Sequence, residues 1–430
     1  MNYLSVKGGK PLCGETGVHG AKNSVLPLLA ASVLVKGETV LHNCPRLSDV
    51  ENTLKILTYI GADVKRNGND IIINASSVNR NDVPENLMRE MRSSIIFLGA
   101  LSSRLKSSCL FLPGGCEIGL RPIDMHLKGL ADLSGVISFD GTNICCSMKS
   151  AKASKVVLPF PSVGATENII LASVFLKGTT KIVNAAREPE IADLCNFLNG
   201  AGAKISGAST TVIEIEGVEK LSPSEYTVMP DRILASTLMC AAAVTGGEVC
   251  IRHISVPELE PVLPVFMEAG CIINLEKNSL VIKSPKRLKR VRRIITRPYP
   301  GFPTDCQAPV SAVLCVAKGS SVINETIFEN RFKHIPELCR FGADITTDGR
   351  TAVINGVKKL SPACAYCTDL RGGAAVVLAA LNADGSSEIK NIKHLDRGYE
   401  NIEIQLSELG ADIKRINNEK ESTETSETAR

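Results

Sequence analysis

Gly61-Ala-Asp-Val64, Gly202-Ala-Lys-Ile205, Gly342-Ala-Asp-Ile345 and Gly410-Ala-Asp-Ile413 repeat one phrase along the chain, with looser copies at Gly135-Val-Ile137 and Gly270-Cys-Ile-Ile273. Six copies at a spacing of about 70 residues exceed the usual solenoid period and fit one compact α/β unit per copy. Each phrase reads as the entry to a strand.

The residues around each copy follow a common order. An Ala-rich apolar helix comes first, as at 24–35, 166–176, 233–244, 309–317 and 374–381. A glycine then opens a strand that ends near asparagine: Gly37 to Asn43, Gly178 to Asn184, Gly319 to Asn324 and Gly385 to Asn391. A second helix with an acidic start, such as 49–59 or 188–198, leads to the Gly-Ala strand and a final hairpin. The Ala-rich helices are apolar nearly all round, so they belong inside sheets, and the amphipathic second helices belong outside. Periodicity leaves open whether the six units form one body or two.

The 430 residues are 44% hydrophobic and 22% charged, with a net charge of +4. This is the composition of an ordinary globular protein, with too little charge to imply a nucleic-acid or membrane partner. The first residues lack the apolar core of a signal peptide, and no apolar run approaches the roughly 18 residues of a membrane span, so a cytoplasmic protein is expected. Fifteen cysteines, scattered and mostly within apolar runs, read as reduced structural thiols. The basic run Lys286 to Arg293 has no interleaved aromatic residue and reads as a solvated strand or loop. Residues 418–430, rich in Glu, Ser and Thr, read as a disordered tail.

Chemistry is concentrated elsewhere. In Leu112-Pro-Gly-Gly-Cys-Glu-Ile-Gly-Leu-Arg-Pro-Ile-Asp-Met-His126, three glycines free the backbone around Cys116 and two prolines stiffen the ends, as in a hinged loop. Arg121 favours the thiolate of a cysteine whose reference pKa is about 8.5. Cys116 is therefore a candidate for reactivity, although a free cysteine is more often a small buried hydrophobe. Phosphate-loop, dinucleotide, HExxH and serine-elbow motifs are missing. Basic residues do recur at the starts of the Ala-rich helices: Lys22 with Asn23, Arg92, Arg232 and Arg371. A cation beside a helix N-terminus makes an anion site. Asp305 and Asp369 stand beside this set, where capping a helix is the default role of an aspartate.

Gly20-Ala-Lys-Asn23, Leu112 to Cys116, Arg121 to Asp124, Ser162 to Thr166, Ala186 to Glu190, Pro230 to Arg232, Phe302 to Asp305, Phe328 to Arg331, Thr368 to Arg371 and Asp396 to Tyr399 closely resemble the UDP-N-acetylglucosamine 1-carboxyvinyltransferases. The resemblance runs from the first strand to about Ile416. It implies a two-domain inside-out α/β barrel of six βαβαββ repeats, three per domain, with helices at the centre of each. One domain would span 22–229; the other would join 1–21 to 230–417.

The resemblance also implies a reaction. Enolpyruvyl moves from phosphoenolpyruvate to the 3'-hydroxyl of UDP-N-acetylglucosamine, phosphate is released, and no cofactor or metal is needed. This is the first committed step of peptidoglycan precursor synthesis. Lys22, Arg121 and Arg397 would clamp the donor's carboxylate and phosphate, Cys116 would be general acid and Asp305 base. Asn23, Arg92, Arg121, Pro122, Ile123, Asp124, Met125, Phe160, Pro161, Ser162, Val163, Gly164 and Ile327 would hold the UDP-sugar, while Arg331, Asp369 and Arg371 line the cleft. The Cys116 match implies sensitivity to epoxides of the fosfomycin type. Phe160-Pro161 stands where some members have a basic residue, and Ser48 where a lysine is common. Enolpyruvyl transfer to 3-phosphoshikimate and a catalytically silent UDP-sugar-binding paralogue are the competing readings.

Overall fold

The computed structural model describes residues 2–114, 119 and 122–417. Within them lie six four-stranded sheets, one for each repeat. Each has the same order, in which two antiparallel pairings join three strands and a parallel edge strand completes the fourth position. In the first unit Glu38–His42, Asp70–Asn74 and Asp63–Asn67 pair antiparallel, and Ser224–Thr227 joins in parallel beside Glu38–His42. That edge strand comes from the end of the third unit, so the first three units close into a ring.

The second ring closes through the chain's beginning. Cys13–Gly17 pairs in parallel with Glu248–Arg252 of the fourth unit. Tyr3–Lys7 lies between Ser386–Lys390 and Asp412–Ile416 of the sixth. Two separate hydrophobic cores follow, one from Val25 to Val228, the other joining Leu4 to Val18 with Ile233 to Ile413. The chain passes between them twice, side by side: the Ala21 N–H donates to Met229 O at 2.7 Å and the Asp231 N–H to His19 O at 2.9 Å.

The Gly-Ala phrase is the end of each outer helix. Gly61, Gly202, Gly270, Gly342 and Gly410 have φ between +82° and +105°, the left-handed conformation that glycine adopts without penalty. The next residue donates back five positions, as in Ala62 N to Leu57 O and Ala203 N to Leu198 O. In the second unit the register differs from the expected one: Ser134 takes the left-handed position (φ 62°), and Gly135 stands where the others have Ala or Cys. Asn43, Asn184 and Asn391 also turn left-handed at strand ends, with φ near 60°; asparagine tolerates this better than most residues.

The central helices run Lys22–Ser32, Phe97–Leu105, Val163–Ser173, Arg232–Thr245, Thr304–Leu314 and Leu370–Asn382, and most of their residues are buried. Most begin a few residues before the apolar run does, because the polar residues ahead of it form the first turn. Ser48 opens the outer helix Ser48–Tyr59, not a central one. One cysteine reading is corrected: Cys109 and Cys145 form a disulfide between facing strands, so the thiols are not all reduced. Apolar runs do not reveal that two of their members face each other. The other twelve cysteines among the described residues are free. The basic run is extended and exposed except at Leu288 and Val291, and the tail from 418 lies outside the described residues.

Candidate active site

Residues at the N-termini of several central helices meet partners from the opposite body. Lys22 is the first residue of its helix, and its backbone N–H donates to Asp231 Oδ2 across the double crossing at 3.1 Å. Its ammonium lies 2.9 Å from Asp49 Oδ2. Asp49, in the first turn of Ser48–Tyr59 and only 2% exposed, also takes Arg397 from the opposite body, Nε to Oδ1 at 2.9 Å and Nη2 to Oδ2 at 3.3 Å. Burial pushes the Asp49 carboxyl up, but Lys22 and Arg397 together bring it below its ordinary value. Lys22 and Arg397 are thus brought together, by a residue the sequence reading treated only as a helix start.

Beside this pair lies a second cluster. Asp305, in the first turn of Thr304–Leu314, receives Arg331 Nη2 on Oδ1 at 2.9 Å and Arg371 Nη2 on Oδ2 at 3.2 Å. Asn23 Nδ2 reaches Oδ2 from the other body at 3.4 Å. Burial disfavours the charge on Asp305, yet Arg371, Arg331 and Lys22 outweigh it and hold the carboxyl well below the usual range. The capping role expected by default fits Asp369, whose Oδ1 accepts the Arg371 and Gly372 N–H groups at 3.0 and 3.1 Å. Asp305 is not a cap; its carboxylate faces three side chains.

Arg331 also donates to Thr304 O. Arg371 is 2% exposed, and among the described residues its Nη1 has no hydrogen-bond partner. Buried His334, between Asp369 and Arg331, is pushed down to about 4 by desolvation and stays neutral. Arg232 does not join the set: Glu190 grips its Nε and Nη2 at 3.0 and 3.1 Å, both side chains buried, in a bidentate pair between the bodies.

Most of the remaining candidates come from the first body. Arg92 starts the 3-10 turn Arg92–Ile96, which leads into Phe97–Leu105 and packs on the Lys22 and Val163 helices. Ser162 caps the Val163 helix through Ala165 N, after a tight turn in which the Ser162 N–H donates to Phe160 O at 2.7 Å. Phe160 is 40% exposed. Ile123, Asp124 and Met125 begin the helix Asp124–Asp132, with Pro122 exposed before it. This helix packs on the Val163 helix, and Gly164 faces the His126 ring too closely for a Cβ to sit without a shift.

Ile327 is set by Glu325, whose Oε1 accepts the Ile327 and Phe328 N–H groups while Oε2 accepts the Thr304 hydroxyl. Sequence reasoning missed Glu325 as it missed Asp49; an acid directly after a strand end was the available signal. Cys116 and Arg121 lie outside the described residues. The described part of their loop reaches the second body, where a Cβ on Gly119 would meet Glu329 Oε2 at 2.5 Å.

The family model described as EPSP synthase (3-phosphoshikimate 1-carboxyvinyltransferase) matches residues 6–423. UDP-N-acetylglucosamine 1-carboxyvinyltransferase 2 of Caldanaerobacter subterraneus subsp. tengcongensis is 50% identical over 97% of this chain and 100% of its own. The chain belongs to the UDP-N-acetylglucosamine 1-carboxyvinyltransferase family. A second member, from Trichlorobacter lovleyi, is 48% identical over 97% of this chain and 99% of its own. Among solved structures, the enolpyruvyl transferase NikO of Streptomyces tendae superposes with a TM-score of 0.88 at 23% identity, covering 96% of this chain and 98% of its own. An EPSP synthase from Acinetobacter baumannii gives 0.75 at 16% identity, covering 97% and 100%. These two likenesses concern the fold: the 1-carboxyvinyltransferase family and its structural relatives share this mixed α/β architecture. Among the described residues no helix is long and apolar enough to cross a membrane.

Proposed function

We propose that this chain transfers the enolpyruvyl group of phosphoenolpyruvate to the 3'-hydroxyl of UDP-N-acetylglucosamine, releasing phosphate, in the cytoplasm. The observation that carries the reading is the meeting of Lys22 and Arg397, one from each body, beside Asp305. Relatives bearing that activity in their names match nearly the whole chain at about half identity, whereas the EPSP synthase likeness is at 16%. This favours the UDP-sugar over 3-phosphoshikimate as acceptor.

In this mechanism Lys22, Arg121 and Arg397 bind the donor's carboxylate and phosphate by charge-assisted bonds. The sugar oxygen attacks C2 of the donor, Asp305 receives the hydroxyl proton, and the Cys116 thiol gives a proton to C3. The Cys116 thiolate then takes a proton back from C3 as phosphate departs, which restores the C2–C3 double bond and completes the addition and elimination. Asn23, Arg92, Arg121 to Met125, Phe160 to Gly164 and Ile327 hold the UDP-sugar, and Arg331, Asp369 and Arg371 shape the cleft. The two rings are the halves of an inside-out α/β barrel, with domains 22–229 and 1–21 plus 230–417. Closure between them excludes water from the reacting atoms.

The test is phosphate release from phosphoenolpyruvate with each acceptor. Turnover with UDP-N-acetylglucosamine, lost in Asp305→Ala and Arg397→Ala, is expected. Turnover with 3-phosphoshikimate alone, or UDP-sugar binding without turnover, would replace the reading by one of its two competitors.

A further inference from the structure

We infer that Asp49 is a positioning residue for the donor pocket, gathering one cation from each body and passing Arg397 to the donor's anion when it arrives. The inference rests on the donor assignment above. Asp49 is nearly closed to solvent at 2% exposure, and its two cations differ in theirs: Lys22 is 12% exposed and Arg397 35%. Arg397 is therefore the partner with room to turn.

Its backbone is held while the side chain turns. Arg397 ends the 3-10 turn Ile392–Arg397, and its neighbour Asp396 is gripped by Arg415 at 2.7 and 3.0 Å. Arg415 also pairs with Glu403 at 2.7 Å. The carboxylate lies in the first turn of a helix, where the positive dipole end favours its charge. Lys22 and Arg397 would repel at this separation without an anion between them. In the resting protein Asp49 supplies that anion, and a donor with a carboxylate and a phosphate can take over Arg397 while Lys22 stays in place. Donor binding is thereby coupled to the contact between the bodies.

Asp49→Asn keeps the shape and removes the charge. Initial rates of phosphate release should show the KM for phosphoenolpyruvate rising at least ten-fold and that for UDP-N-acetylglucosamine staying within two-fold. The melting temperature should change by only a few degrees, and Asp49→Glu should restore part of the donor KM. Combined with Arg397→Gln, Asp49→Asn should raise the donor KM by less than the product of the single effects, because it acts through Arg397. Equal changes in both KM values, or fully multiplicative effects in the double variant, overturn the inference. If Asp49→Asn does not fold, Asp49→Ser, which also removes the charge, gives the same cycle with Arg397→Gln. If the wild type shows no turnover, the activity reading has failed, and calorimetric titration with phosphoenolpyruvate still tests Asp49: unchanged affinity in Asp49→Asn overturns its role.

Discussion

Glu258 gives a stability prediction whose sign follows from its surroundings. It sits in the first turn of Val256–Leu259, partly buried near the crossing, and among the described residues its Oε2 has no hydrogen-bond partner. Burial is the main cause that raises its carboxyl from 4.5 to about 7; Ser255 and Arg232 oppose the rise, while Glu190 and Asp193 add to it. A group whose affinity for a proton is higher in the fold stabilises the fold below its unfolded value and loses that contribution as pH climbs through the folded value. The window here is about 4.5 to 7.

The rise corresponds to roughly 3 kcal/mol, and partial exposure reduces it to about 2 kcal/mol. Glu258→Gln cannot ionise. It should melt with the wild type at pH 4.5 and above it at pH 8, by roughly 4–8 °C if each body of this size unfolds as a unit. Differential scanning calorimetry of both proteins at the two pH values is the assay. Taking the difference between them cancels Glu188 and Asp193, whose carboxyls burial also raises. A gap equal at both pH values, or a variant less stable at pH 8, would refute the reasoning.

Other outcomes follow from the same geometry. Arg232→Met leaves the Glu190 carboxylate buried without its bidentate partner and should destabilise by about 3–5 kcal/mol, with Glu190→Met in the same chain recovering most of it; urea unfolding reads both, and a single variant as stable as wild type contradicts the pair's burial. Cys116→Ser should abolish turnover and also protect against labelling by a fosfomycin-type epoxide, seen as an adduct on the intact protein by mass spectrometry; an adduct that persists in the variant places the reactive thiol elsewhere.

The repeat was legible because it records a backbone requirement. Glycine marks the left-handed end of an outer helix in five units, and the sixth escaped the pattern only because Ser134 adopts that conformation one position early. The central helices were legible because burial on all sides demands an apolar sequence. Ring closure was not legible in the repeat pattern and was expected only from the resemblance, since Tyr3–Lys7 reads as an ordinary strand and its place between Ser386–Lys390 and Asp412–Ile416 depends on pairing across nearly the whole chain. Lys22, Asn23, Asp305, Arg331 and Arg371 could be named beforehand because cations recur at helix starts and because motifs carried a resemblance. Asp49 was hidden for a physical reason: an acid in a first turn already has a local explanation in the helix dipole, while its partner Arg397 lies 348 residues away.

Asp305 poses the sharpest question about chemistry, because Arg371 and Arg331 make it a weak base in the resting protein. A carboxylate so held cannot keep a proton taken from an unreacted hydroxyl, whose own affinity for it is far higher. In the proposed mechanism the transfer becomes favourable only as the sugar oxygen bonds to C2 and its proton turns acidic, so protonation of C3 would run ahead of proton loss from the acceptor. The two arginines then serve the reaction by keeping Asp305 ionised at low pH. Replacing Arg331 by Gln removes one of them and should raise the Asp305 carboxyl by about one pH unit, as expected for a carboxylate losing an adjacent cation, a shift read from its carboxylate carbon signal in an acid titration by NMR. A carboxyl that titrates unmoved in Arg331→Gln would mean that Arg331 does not hold Asp305 ionised, and the ordering of the two proton transfers would fall with it.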